Sequence, residues 1–213
     1  MKRVGNILIV VGICLLVWFG YTQFKQGAMQ QNALDEAWLL VEGDQQLVGE
    51  TEPMEAQNEE PVTLSAPDTQ TDHSYEAYES FDIPEQQAFA ILDIEALDRS
   101  LPIVDGTQPE DLDKGVGHVR QTSLPGGGEQ IVLSGHRDTV FRDFGSLELG
   151  DTFLVHMPYG SFHYEIKETE IVDAEDRTVI RDMGEEVLVV TTCYPFHYIN
   201  QAPERFVIYA YPV

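Results

Sequence analysis

Between Val4 and Tyr21 the chain reads VGNILIVVGICLLVWFGY, eighteen residues in which Asn6 is the one strongly polar side chain. As a helix this run spans about 27 Å, enough to cross the hydrocarbon core of a bilayer. Lys2 and Arg3 precede it, and Trp18 and Tyr21 stand at its far end, where interfacial aromatics belong. The positive-inside bias predicts a cytoplasmic N-terminus and an exported remainder. No A-x-A-like cleavage site follows, so the run reads as a retained anchor in preference to a cleaved signal peptide. Cys14 is then an apolar residue within the membrane.

Charge divides the rest. The chain carries 37 acidic against 12 basic residues, a net −25. Residues 26–90 hold 15 acids and neither Lys nor Arg, whereas residues 91–213 hold 9 bases and 22 acids. A surface this acidic repels phosphate backbones, which argues against nucleic acid as a partner. Three domains are therefore expected: 1–25, cytoplasmic N-terminus and transmembrane anchor; 26–87, an acidic extracellular stalk; and 88–213, a folded domain. The tract 42–88 is too polar and too uniformly charged to offset chain entropy and predicts a solvated spacer, His73 included. Ala33–Val41 predicts a brief helical extension beyond the membrane.

From about Gln86 onward, short apolar runs alternate with turn signals, as in an all-β domain. Strands are predicted at Ala88–Ile94, Leu101–Val104, Ile131–Leu133, Thr152–Met157, Val187–Val190 and Phe206–Tyr211, with a helical turn over Pro109–Lys114. In the return strand after Pro158–Ser161, Phe162, Tyr164 and Ile166 alternate with His163, Glu165 and Lys167, placing His163 on the solvent face with His156 as its counterpart. The uninterrupted run Val187–Val190 predicts a central strand buried on both faces. No segment of this domain sustains a helical period beyond about ten residues, so a closed β-barrel or a sandwich is expected.

Two cysteines are too few for a disulfide framework, and Cys193 is the one thiol of the exported part. A lone cysteine is most often buried and inert. Against that, export exposes a spare thiol to oxidants, and Pro195 ends the strand so that Cys193 sits at a rim. If the strands 187–192 and 206–211 pair antiparallel, Arg205 is the neighbour of Cys193 by topology, where a guanidinium favours a thiolate and holds a developing oxyanion. For a base, His136 emerges from a buried strand after Gly135. His118 and His197, both expected in loops, compete with it, and periodicity leaves the three open.

Ser134-Gly135-His136-Arg137-Asp138-Thr139, the pair Thr192-Cys193, Cys193-Tyr194-Pro195-Phe196 and Ala202-Pro203-Glu204-Arg205-Phe206 together resemble the sortases, most of all class D sortases of Gram-positive bacteria. The resemblance covers roughly residues 88–213, with its motifs in order. It implies a sortase-like closed β-barrel of about eight strands with short helical turns, after one N-terminal transmembrane helix. It makes Cys193 the nucleophile, His136 its acid/base partner and Arg205 the oxyanion- and substrate-binding residue, with Thr192 a further substrate contact. Val189 and Val190 stand where the family's motif has Thr-Leu, a change expected to bear on packing.

The activity implied is cysteine transpeptidation. An LPxTG- or LPxTA-like sorting signal is cleaved through a Cys193 thioester, and a secreted surface protein passes to an amine of the peptidoglycan precursor lipid II at the cell membrane. A monomer without organic cofactor or metal is expected: calcium occurs in some relatives, but no ligand set is readable here. The alternatives are a hydrolase using the same residues to release substrate to water, a pilus-polymerising sortase with a lysine acceptor, in which Asp82-Ile83-Pro84 would serve as a lid, and a non-catalytic anchored β-barrel binding module.

Overall fold

A computed structural model describes residues 2–48, 78–84, 87–197 and 202–213. Most of the expected spacer, with His73, lies outside the described residues.

Eight strands form a closed barrel: β1 (Ala88–Ile94), β2 (Arg99–Asp105), β3 (Val116–His118), β4 (Gln130–Gly135), β5 (Thr152–Met157), β6 (Gly160–Asp173), β7 (Val187–Tyr194) and β8 (Glu204–Pro212). Their order around the barrel is β1-β2-β3-β4-β7-β8-β6-β5, closed by β1 against β5. The barrel is thus the outcome of the two that alternation left open. Most pairs are antiparallel, but β2/β3 and β4/β7 run parallel. A single helical turn, Pro109–Leu112, is started by Pro109 and by a reciprocal capping box between Gln108 and Asp111.

Two faces of the β4–β7–β8 sheet are covered, which explains why Val187–Val190 is apolar without interruption. Leu188 and Val190 join Leu133, Tyr164 and Ile208 in the barrel core. Val187 and Val189 point outward and pack with Val132, Val179, Val207 and Tyr209, beneath the loop joining β6 to β7. Val189 and Val190 are fully packed in these two clusters, so the departure from the family motif does fall on packing.

Three features differ from expectation. β3 is a three-residue strand, too short to leave a periodic signal, and it takes His118 out of a loop and into the interior. His163 pairs with Leu154, while His156 pairs with Ser161. The third is the helix α1, which runs unbroken from Lys2 to Val48. Its apolar half, with Ile9, Leu16, Trp18 and Phe24 exposed, is long and apolar enough to span a membrane. Its second half is no spacer. Ala33, Ala37 and Val41, spaced one turn apart, bury against Ala88, Ile91 and Val104 on the outside of β1 and β2. The small Ala37, fully buried, lets the helix approach the sheet closely. Trp38 flanks this contact with its ring 5.6 Å from that of His156. His156 Nε2–H in turn donates to Asp93 at 3.0 Å, and Ser161 Oγ lies 2.8 Å from Nδ1.

Candidate active site

Parallel pairing of β4 with β7 sets Gly135 opposite Thr192. The residues that follow, His136 and Cys193, therefore leave the sheet at the same rim. On the other flank β8 runs antiparallel to β7, and Cys193 stands in register with Arg205. Cys193 is thus the middle position of three adjacent strands, with His136 on one side and Arg205 on the other. All three are half-buried. Arg205 Nη1 donates to the Glu204 carbonyl at 3.2 Å, its one hydrogen bond among the described residues.

Short-range packing holds each piece. A β-carbon on Gly135 would meet the Phe141 ring at 2.6 Å and Val140 at 2.7 Å, so only glycine lets the chain turn back on itself after β4. The Phe141 amide donates to the His136 carbonyl at 3.0 Å, closing that turn. Arg99, at the start of β2, donates to the Thr139 and Arg142 carbonyls at 3.2 and 3.3 Å. Burial lowers the pKa of this guanidinium from its usual value, opposed by the nearby Asp143. Arg137, with only 8% of its side chain exposed, donates to the Pro195 carbonyl at 2.8 Å and joins the segment after His136 to the segment after Cys193.

Thr192 is placed against expectation. It is 2% exposed, and its hydroxyl donates to the Gly135 carbonyl at 2.8 Å, so it ties β7 to β4 under the site and offers no surface to a peptide. Alternation explains the difference: Cys193 shares the outer face with Thr191, whereas Thr192 points inward.

The outer face also bears a groove of about 170 Å3 that reaches Arg205. Ser134 and Thr191 lie on its floor, and Val172, Val179 and Ile180 line it from the β6/β7 side. These residues carried no sequence signal, because they come from four separate segments.

The competing histidines separate clearly. His118 is 1% exposed and packed edge-on to Phe89; its Nε2–H donates to the Ser123 carbonyl at 2.9 Å, and burial lowers its pKa. It is a core histidine. His197 is exposed on the rim of a cleft of about 720 Å3 beside Phe196 and Arg137. Asp82-Ile83-Pro84 is not beside Cys193 either. Phe81 and Ile83 pack on the barrel core, and the Tyr78 hydroxyl lies 3.1 Å from Ser123 Oγ. Ser123 pairs with Gln130 at the beginning of β4, the end opposite His136. Among the described residues no group of His, Cys, Asp and Glu is arranged to hold a metal ion.

Comparison with known proteins gives the family. Residues 92–213 match the model of the sortase domain family. Sortase D of Bacillus subtilis (strain 168) is 52% identical over 124 residues, an alignment covering 58% of this chain and 63% of that relative's length. The catalytic domain of B. anthracis SrtD superposes with a TM-score of 0.53 at 42% identity, covering 63% of this chain and 92% of that one. The fold is shared with a Clostridium perfringens sortase D5 transpeptidase at 24% identity and a TM-score of 0.57, covering 68% and 91% of the two chains. With the family model matched over more than half of its length, the chain belongs to the sortase family.

Proposed function

We propose that this protein is a membrane-anchored cysteine transpeptidase acting on LPxTG-like sorting signals. The observation that carries the reading is the placing of Cys193 between His136 and Arg205 on three neighbouring strands. In this reading the Cys193 thiolate attacks the threonine carbonyl of a signal lying in the groove that ends at Arg205. A C–S bond forms, and Arg205 donates to the developing oxyanion. The C–N bond then breaks as His136 protonates the leaving amine, giving a thioester. An incoming amine, that of lipid II, attacks the thioester carbonyl. His136 takes its proton, the C–S bond breaks and the thiolate is restored. The chemistry balances without a cofactor, and a thioester keeps the acyl group activated for an amine. Water in place of the amine would make the same residues a thiol-dependent hydrolase.

The apolar half of α1 supports a single-pass anchor, and Lys2 and Arg3 before it favour a cytoplasmic N-terminus with the catalytic domain, 88–213, outside; in this reading the domain acts as a monomer. Because α1 continues without a break onto β1 and β2, the barrel is tethered through a helix. With Asp82-Ile83-Pro84 packed at the far end of the barrel, nothing among the described residues favours the lid expected of a pilus-polymerising enzyme.

The test uses the full chain in detergent, incubated with LPxTG and LPxTA peptides and followed by intact mass. An adduct equal to the peptide truncated after threonine, absent in Cys193→Ala, is the expected result. Added amine should then convert the adduct to a transpeptidation product. No adduct and no cleavage, in a protein whose Cys193 still alkylates readily, would overturn the substrate assignment.

A further inference from the structure

The wall of the groove is a long loop between β6 and β7, and such loops are ordinarily mobile. Here it is held from within the barrel wall. Gln130, the first residue of β4, is 6% exposed, and both ends of its amide are engaged by that loop. Its Nε2 donates to the Val179 carbonyl at 2.8 Å, and its Oε1 accepts from the Arg181 backbone N–H at 3.0 Å. These partners bracket Ile180 and lie about fifty positions along the chain, so the contact is tertiary and owes nothing to local turn chemistry. The Val179 side chain is pressed into the apolar cluster with Val132 and Val187. The Arg181 guanidinium lies 5.8 Å from the centre of the Tyr209 ring.

We propose that Gln130 is a positioning residue for peptide recognition, acting through Val179 and Ile180. This rests on the reading of the groove as the sorting-signal site. β4 then serves the reaction at both ends: its first residue fixes the groove wall, and the residue after its last is His136. A wall clamped before substrate arrives saves the peptide the entropy of ordering it, so the contribution appears in binding and not in the chemical step.

Gln130→Met keeps length and apolar volume but loses both bonds. Gln130→Glu keeps the acceptor for Arg181 and loses the donor to Val179. In the full chain in detergent, Gln130→Met should raise KM for an LPxTG peptide by about tenfold, the weight of roughly one hydrogen bond. Its kcat and the rate of Cys193 alkylation by iodoacetamide should stay within about twofold, and Gln130→Glu should fall between. Amide exchange at Arg181 should accelerate in Gln130→Met. Unchanged exchange would remove the clamp, and faster exchange with an unchanged KM would reduce Gln130 to a purely structural role. If Gln130→Met fails to fold, the Gln130→Glu variant carries the same two measurements. Absence of peptide turnover in the parent protein would sink the transpeptidase reading, and with it the recognition role, while Arg181 exchange would still decide whether the clamp exists.

Discussion

The hydroxyl of Thr192 donates to the carbonyl of Gly135 at 2.8 Å, across 57 positions of sequence. This bond joins β7, which carries Cys193, to β4, which His136 follows, one residue before each. Register between the two strands, and with it the approach of His136 to Cys193, is held at this point.

Thr192→Val keeps the shape and removes the donor, leaving a buried carbonyl without its partner. A loss of about 1–3 kcal/mol in denaturant unfolding is expected. The rate of acyl-enzyme formation should also fall, because the strand ends are free to shift. Unchanged stability would show that the Gly135 carbonyl finds water instead.

Gly135→Ala is expected to be worse tolerated than its size suggests. The new methyl would sit 2.6 Å from Phe141 and 2.7 Å from Val140, so the turn carrying His136 must move. Overpacking of this kind costs about 1–3 kcal/mol. The expected signature is loss of peptide acylation out of proportion to the loss of thermal stability.

Arg205 should separate from Cys193 in its effect. Arg205→Ala and Arg205→Lys should both leave the fold intact and lower the rate of the peptide adduct by about 100- to 1,000-fold, far more than they slow thiol alkylation. Lysine is expected not to rescue, since a single ammonium lacks the guanidinium's fixed fork of donors. Full activity in Arg205→Lys would make the role one of charge alone.

His118 supplies a pH signature unrelated to catalysis. Burial lowers its pKa in the folded protein, so the unfolded chain binds the proton more readily. Stability therefore falls as the pH drops below the ordinary histidine value of about 6.5 and levels off below the folded value. His118→Phe should flatten this part of the profile, measured as the unfolding midpoint between about pH 7 and pH 5. An unaltered slope would assign it to other groups.

Docking of α1 predicts that Ala37→Arg destabilises the barrel as well as the helix. A charged side chain at a fully buried helix–sheet contact must lift the helix away and expose Ile91 and Val104. Hydrogen exchange over residues 30–41 and along β1 should rise together. A rise in the helix alone would show that the barrel is indifferent to it.

Local pattern carried a good part of this molecule. Thr152–Met157 and Val187–Val190 were legible as strands because period-two alternation and unbroken apolar runs report directly on one or two covered faces. His136 and Cys193 were legible as strand-end residues for the same reason, with Gly135 and Pro195 marking the exits. β3 and the fate of His118 were not, since three residues make no period and burial depends on what other strands bring. Ala33–Val41 has a helical sequence whose docking partner lies about fifty residues away, so its surroundings could not be inferred from its own composition.

The apolar anchor, the alternation of faces and the chemistry of each side chain are properties of neighbouring residues and were present in the sequence. Which residues meet was decided only by tertiary structure. The parallel pairing of β4 with β7 brings His136 to Cys193, the register with β8 adds Arg205, and Gln130 reaches across to fix the groove wall. Each of these contacts closes a loop whose entropy cost must be met by surfaces distant in sequence, and no local signal records which surfaces those are.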